Sequence, residues 1–291
     1  MHNFRKPSKP VSDSLNDVGK GLREPKKSFF TQSRATLESL YNHYDTLAVM
    51  DELHTLTRNW KYTPGMSLAE KETIDNSRSL ANQLYDDDRP FVNKHWEFLT
   101  QQNGGDTLYC PICGLHECEE MDHYVPRDVA QFPEYSAHIS NLIPLCHSCN
   151  HKKSSKFLDA SGRRIYFNAF YDILTTRDLL ICFISKSPID GLPQISTMLN
   201  AALTKDKKPD VYILSTIADL GLMDRFEAKA RLCLKKEMTR LKGRVGQDWD
   251  MIKAEMESLS KPSYGDPDIV TPAVLRAISG SKLMKDWFES L

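Results

Sequence analysis

Cys110-Pro-Ile-Cys113 and Cys146-His-Ser-Cys149 are two C-x-x-C pairs separated by 32 residues. A C-x-x-C turn aims two thiolates at one centre, and two such turns complete a tetrahedral shell for Zn²⁺. Four protein ligands close the shell, so this ion is expected to hold the fold and to do no chemistry. Its binding energy is then folding energy for the segment around it. The 32-residue spacing exceeds a compact zinc ribbon, so something must fold between the knuckles. Cys118, Cys182 and Cys233 stand alone and read as small core or surface residues.

The insert carries Met121-Asp-His-Tyr-Val-Pro126 and then Phe132-Pro-Glu-Tyr-Ser-Ala-His-Ile-Ser-Asn141-Leu-Ile-Pro-Leu-Cys146. The full pattern is C-x-x-C, Asp-His-x-x-Pro, Asn-Leu-x-x-Leu-Cys-x-x-Cys-Asn-x-x-Lys, and it resembles the HNH, or ββα-metal, endonuclease family. The resemblance covers about 50 residues, under a fifth of the chain. It implies a β-hairpin followed by a helix around one catalytic divalent ion, and the hydrolysis of phosphodiester bonds.

Such hydrolysis needs a nucleophilic water, charge neutralisation on the phosphate and help for the departing 3′ oxygen. His123 is the candidate general base, because an imidazole titrates near neutral pH. Asp122 is an anionic oxygen ligand suited to Mg²⁺ or Mn²⁺. On a strand, 122 and 123 point to opposite faces, so a bend must bring both to the site. The resemblance gives Asn141 the task of holding His123 in orientation. The family's third position falls on Asn150, the preferred second ligand of the catalytic ion, with His151 as the alternative and a softer ion as its consequence. Lys153 lies three residues beyond Asn150 on about the same helical face and is a candidate phosphate contact, as is Arg127. The bland readings make Lys152, Lys153 and Lys156 a wet helix end, and make His138 and His147 incidental. A zinc-deaminase reading of His116-Glu117 fails, since that motif needs His-x-Glu and Pro-Cys-x-x-Cys, whereas Leu145 separates Pro144 from Cys146.

Outward from the knot, 291 residues with 40% hydrophobic and 26% charged side chains describe a globular chain of one large or two modest domains. No apolar run of about 18 residues suggests a membrane span, and no apolar leader suggests secretion, so a cytoplasmic location is expected. Net charge is −1, which excludes a uniformly basic nucleic-acid coat. Eight Lys or Arg between Arg5 and Arg34, with Pro7, Pro10 and Pro25, read as a flexible basic arm over 1–33. Helical spacing of Leu37, Leu40, Tyr41, Tyr44, Leu47 and Leu56 predicts a helix over 34–57. Others are expected over 67–85, ended by Asp86-Asp87-Asp88, and around Trp96–Leu99, ended by the turn Asn103-Gly-Gly-Asp106. These form a helical N-terminal region, 34–104, ahead of the module at 105–160. The remainder, 161–291, is expected to be mostly helical. Leu179–Ile184 and Val211–Leu214 read there as strands or buried connectors, 222–243 as a long helix, and Val274 to Leu291 as a last one. Tyr166-Phe167 and Phe170-Tyr171 read as packing against the module, with base stacking as the alternative. The fold class is mostly α with a small ββα-metal, zinc-bound module, α+β overall.

The expected function is a metal-dependent HNH endonuclease acting on nucleic acid, DNA first. The rival readings are a zinc-stabilised binding module that does not cut, and a stand-alone restriction-type nuclease. More narrowly, Tyr-Cys-Pro-x-Cys-Gly, Asp-His-Tyr-x-Pro and Phe-Pro-Glu-Tyr-Ser, followed by Phe-Tyr-Asp, resemble the HNH subunits of ATPase-paired bacterial anti-phage systems, Septu-type and retron-associated. That resemblance implies an ATPase partner docked on the helical regions.

Overall fold

The computed structural model describes residues 1–85, 89–103, 105, 107–174, 178–204, 207–261 and 267–291. The expected Asp86–Asp88 helix stop lies outside the described residues, as do Gly104 and Asp106 of the expected turn. Two compact units are formed. The larger holds residues 3–111 and 116–173; the smaller holds 174–291 together with 1–2 and 112–115.

The larger unit opens with α1 (Val11–Gly19), α2 (Lys26–Val49), α3 (Leu68–Asn82) and α4 (Pro90–Gln102). The segment expected to be a flexible arm is therefore a correction: it carries α1 and the first turns of α2. Leu15, Val18, Leu22, Phe29 and Phe30 are buried, and α1 packs on α2 and α4. Pro10 precedes α1, and Val11, Leu15 and Val18 repeat at helical spacing. Basic density hid that stripe, and the lysines are not idle, since Lys9, Lys20 and Lys94 all pair with Asp17. A capping box starts α3: Ser67 accepts from the Glu70 amide, and the Glu70 carboxylate accepts from the Ser67 amide at 2.7 Å.

Next come β1 (Glu120–His123), β2 (Leu142–Leu145) and α5 (His147–Lys153), the hairpin and helix that the resemblance implied. The strands are antiparallel with Asp122 opposite Ile143 and His123 opposite Leu142. Residues 161–173 belong to this unit and not to the C-terminal region. Arg164 is buried against Asp172 at 2.8 Å and against Asp51, and it donates to Tyr124 Oη at 2.8 Å. Tyr166, Phe167 and Phe170 are buried here, in packing positions.

In the smaller unit β3 (Leu180–Lys186) pairs antiparallel with β4 (Pro193–Leu199). Around the hairpin lie α6 (Asp210–Asp219), α7 (Leu222–Lys242), α8 (Trp249–Leu259), α9 (Val270–Ser279) and α10 (Lys282–Glu289). α7 packs on β4, α9 on β3, and α8 on α9. The apolar run Val211–Leu214 is helical, which corrects the strand expectation; Tyr212, Ile213, Thr216 and Ile217 form one buried helical face. The expected C-terminal helix is two helices, parted at Gly280 and restarted by Ser281, whose side chain accepts from the Met284 amide. Among the described residues no helix is long and apolar enough to cross a membrane.

Candidate metal centre and active site

Cys110, Cys113, Cys146 and Cys149 are all buried, and their sulfurs lie within 4.8 Å of one another. Four thiolates around one tetrahedral zinc sit roughly 3.8 Å apart, so this gathering suits a closed four-sulfur metal site. Local structure sets each pair. The Cys110 amide donates to the His116 carbonyl at 2.8 Å, closing the first knuckle, and the Leu115 amide reaches Cys113 Sγ at 3.4 Å. Cys146 caps α5 and Cys149 lies in its first turn, where the helix N-terminus favours thiolate charge. A metal held by these four sulfurs would fix where α5 starts relative to β2.

Strand alternation then sorts the chemistry. Glu120 and Asp122 share the face of β1 that meets α5, while His123 turns to the other face. Asp122 is buried, with its Oδ2 2.8 Å from Lys153 Nζ. The same ammonium donates to the His123 carbonyl at 2.9 Å. Burial pushes the Asp122 carboxyl upward, and the nearby Lys153 charge opposes that shift. Lys153, expected to face phosphate, is itself only 3% exposed. Asn150 donates its side-chain amide to the Glu120 carboxylate, and His147 Nδ1 lies 2.6 Å from the other Glu120 oxygen. These two bonds, His147 first, hold the Glu120 carboxyl below its ordinary range. His151 is exposed, its ring 6.0 Å from that of His147.

His123 Nε2 donates to the Ser136 carbonyl at 2.8 Å, which leaves the lone pair on Nδ1. The Tyr85 ring meets the imidazole in a T-shape at 4.4 Å. Burial drives the His123 pKa down to about 3, so the ring is neutral at neutral pH. Asn141 is fully buried and does not touch the imidazole. Its Oδ1 accepts from the Val125 amide at 2.7 Å and from Tyr44 Oη at 3.0 Å, and its Nδ2 donates to the Val125 carbonyl at 2.9 Å. It staples the loop that follows His123, and so bears on that residue only through the backbone. Arg127 donates to the Asn82 carbonyl and Oδ1 at 3.2 and 3.1 Å and covers the Tyr85 ring at 4.7 Å.

Asp122, Glu120, Asn150 and Lys153 are thus gathered between β1 and α5, whereas the His123 ring lies on the opposite side of the strand against Tyr85 and Ser136, so the bend expected to bring 122 and 123 to one site is not present. Two carboxylates and an amide are the hard oxygen donors that Mg²⁺ or Mn²⁺ prefers. The Lys153 ammonium marks the spot as one built for positive charge. Sequence reasoning missed Glu120, although the two-residue spacing from Asp122 on a strand signals it. Tyr85 and Ser136 had no such signal.

A family model described as HNH endonuclease matches residues 110–156. The chain is 26% identical over 148 residues to Protein ea31 of Escherichia phage lambda, covering 50% of this chain and 48% of that protein. The chain thus spans about half the length of this curated relative. No solved structure matches the chain. The knot, the hairpin and the following helix together make up the HNH endonuclease domain matched at 110–156.

Proposed function

We propose that the chain is a divalent-metal-dependent endonuclease that hydrolyses phosphodiester bonds, with DNA as the first substrate. The observation that carries this reading is the oxygen-donor set of Asp122, Glu120 and Asn150 between β1 and α5, beside the four-sulfur site. Asp122 and Asn150 are the residues that would hold Mg²⁺ or Mn²⁺, with Glu120 beside them and His151 as the alternative to Asn150. A bound ion supplies charge neutralisation on the phosphate and on the departing oxygen. The His123 ring lies across β1 from these donors, so cutting requires the two to be brought to one phosphate; His123 would then take a proton from water at Nδ1 as the water oxygen bonds to phosphorus. The bond from phosphorus to the 3′ oxygen breaks and that oxygen takes a proton from solvent, leaving a 5′ phosphate and a 3′ hydroxyl. The Ser136 carbonyl keeps the Nε2 proton in place, so the tautomer is the one a base at Nδ1 requires. Asn141 positions the loop behind His123, and the four thiolates would hold Zn²⁺ and with it keep α5 in register. Lys153 and Arg127 are candidate phosphate contacts only after leaving the partners described above.

The test is plasmid nicking by the full chain with Mg²⁺ or Mn²⁺, with RNA and tRNA as parallel substrates. His123→Ala is expected to lose on the order of 10²-fold or more in rate, the usual contribution of a general base. Undiminished cutting by that variant removes the proposed base. One observation favours the rival binding-module reading: the Asp122 charge is already neutralised by Lys153. DNA binding with no cutting under any divalent ion supports that rival.

The narrower reading is an effector of anti-phage defence that works with an ATPase in a reducing cytosol. Its support is the motif string around the knuckles and seven buried cysteines, which a reducing compartment keeps as thiols. Co-purification with the product of a neighbouring gene tests it. A lone protein with full constitutive activity argues for the stand-alone restriction-type alternative.

A further inference from the structure

The proposed base is held by residues outside the matched domain. The Ser136 hydroxyl donates to the Ala81 carbonyl in the last turn of α3, while the Ser136 carbonyl accepts from His123 Nε2. Two residues past the α3 C-cap at Gln83, Tyr85 packs on the imidazole with an interplanar angle of 79°. Its hydroxyl reaches the Met121 carbonyl in β1 at 3.4 Å. Asn82, the last residue of α3, binds Arg127, whose guanidinium closes over the Tyr85 ring. Ala81 and Leu84 are fully buried and Tyr85 is 6% exposed, so this end of the helix is a fixed wall.

We infer that the C-terminal end of α3, through Tyr85 and the Ala81–Ser136 link, is the positioning device for His123. The ring is tethered at Cβ, and a single hydrogen bond at Nε2 still leaves it some tilt through its two side-chain torsions. The T-shaped contact with Tyr85 narrows that tilt and so limits where the Nδ1 lone pair points. Arg127 in turn holds Tyr85 by a cation–π contact, a role distinct from touching phosphate. Tyr85 is a positioning residue, since it acts through His123. This inference rests on His123 being the base, and small misplacements of a catalytic group cost on the order of 10²-fold in rate.

The test uses the full chain with two readouts, turnover in the nicking assay and the rate at which diethyl pyrocarbonate modifies His123, followed by peptide mass spectrometry with the exposed His116 as internal reference. Tyr85→Ala is expected to lower kcat by roughly 10- to 100-fold with KM within about twofold, and to raise His123 modification severalfold. Tyr85→Phe keeps the ring and is expected to recover most of both losses. If Tyr85→Ala fails to fold, Ser136→Ala, which keeps the carbonyl and removes only the link to Ala81, is expected to shift both readouts in the same direction. Wild-type kcat and wild-type His123 modification in Tyr85→Ala overturn the inference. Should the wild type never cut, the endonuclease reading fails, while the modification rates still decide whether Tyr85 orients the ring.

Discussion

At the residue scale, the pair Lys153–Asp122 sets the terms for cation binding. Both side chains are at least nine-tenths buried, so neither charge has much water to fall back on. Removing one partner of such a pair costs about 3–5 kcal/mol, because the other charge is left buried and alone. Lys153→Met is therefore expected to lower Tm in zinc-loaded protein without added Mg²⁺ or Mn²⁺, and Mn²⁺ is expected to restore more stability to the variant than to the wild type. Thermal scans of both proteins across a Mn²⁺ series check this; equal Mn²⁺ shifts mean that Asp122 does not meet the ion. His95 supplies a separate pH test. Its Nε2 bonds the Leu142 carbonyl at 2.9 Å, and burial drives its pKa down from 6.5 to about 4. The folded value lies below the unfolded one, so the neutral ring contributes its full stability above about pH 6.5 and loses it as pH falls toward 4. His95→Gln keeps a donor for Leu142 and is expected to flatten the stability curve in that window by up to about 1.4 kcal/mol per pH unit, measured by denaturant titrations.

At the scale of elements, a metal in the four-sulfur site would do what two strands of four residues cannot do alone. A two-stranded hairpin is marginal in water, and a seven-residue helix is too short to be stable by itself. Four thiolates join the first knuckle to the start of α5 and set the helix at a fixed height beside β1. Cys149→Ser, or chelation of the wild type, is expected to release one zinc and abolish nicking together with the cooperative unfolding transition of the module. Zinc analysis alongside circular dichroism checks it, and nicking that survives full zinc loss separates the site from the fold. The motifs of this module were legible because the spacing of ligands along the chain is itself the geometric requirement. α6 was not, since a four-residue apolar run fits a strand as well as a helix. α1 was not, because its three apolar positions sit among charges that dominate a composition reading.

For the whole molecule, the domain plan read from sequence placed its boundaries where composition changes, whereas burial draws them elsewhere. The residues 161–173 join the larger unit through Arg164, and the knuckle 112–115 is grouped with the smaller one. Gly114 is the sharp case. Its φ is +65°, and a Cβ there would lie 2.1 Å from the Pro267 carbonyl oxygen. Gly114→Ala is expected to cost at least about 1–2 kcal/mol from the left-handed backbone alone, with the clash added to it. Lower Tm and weaker zinc retention are the expected readouts, and a variant with wild-type values of both removes the contact.

What the sequence determined by itself was the chemistry of one short region: two thiolate pairs, an Asp-His dipeptide and two asparagines at spacings that a hairpin and a helix turn require. The mostly helical class followed from repeated apolar positions. Only the tertiary structure decided what each polar side chain meets. Lys153 lies on Asp122, Asn141 grips Val125 and leaves the imidazole to others, and Tyr85 comes from the segment just past α3, outside the motif, to close on His123. Spacing along a chain specifies which backbone positions approach one another; the partner a buried charge or ring selects depends on which distant elements exclude water from it.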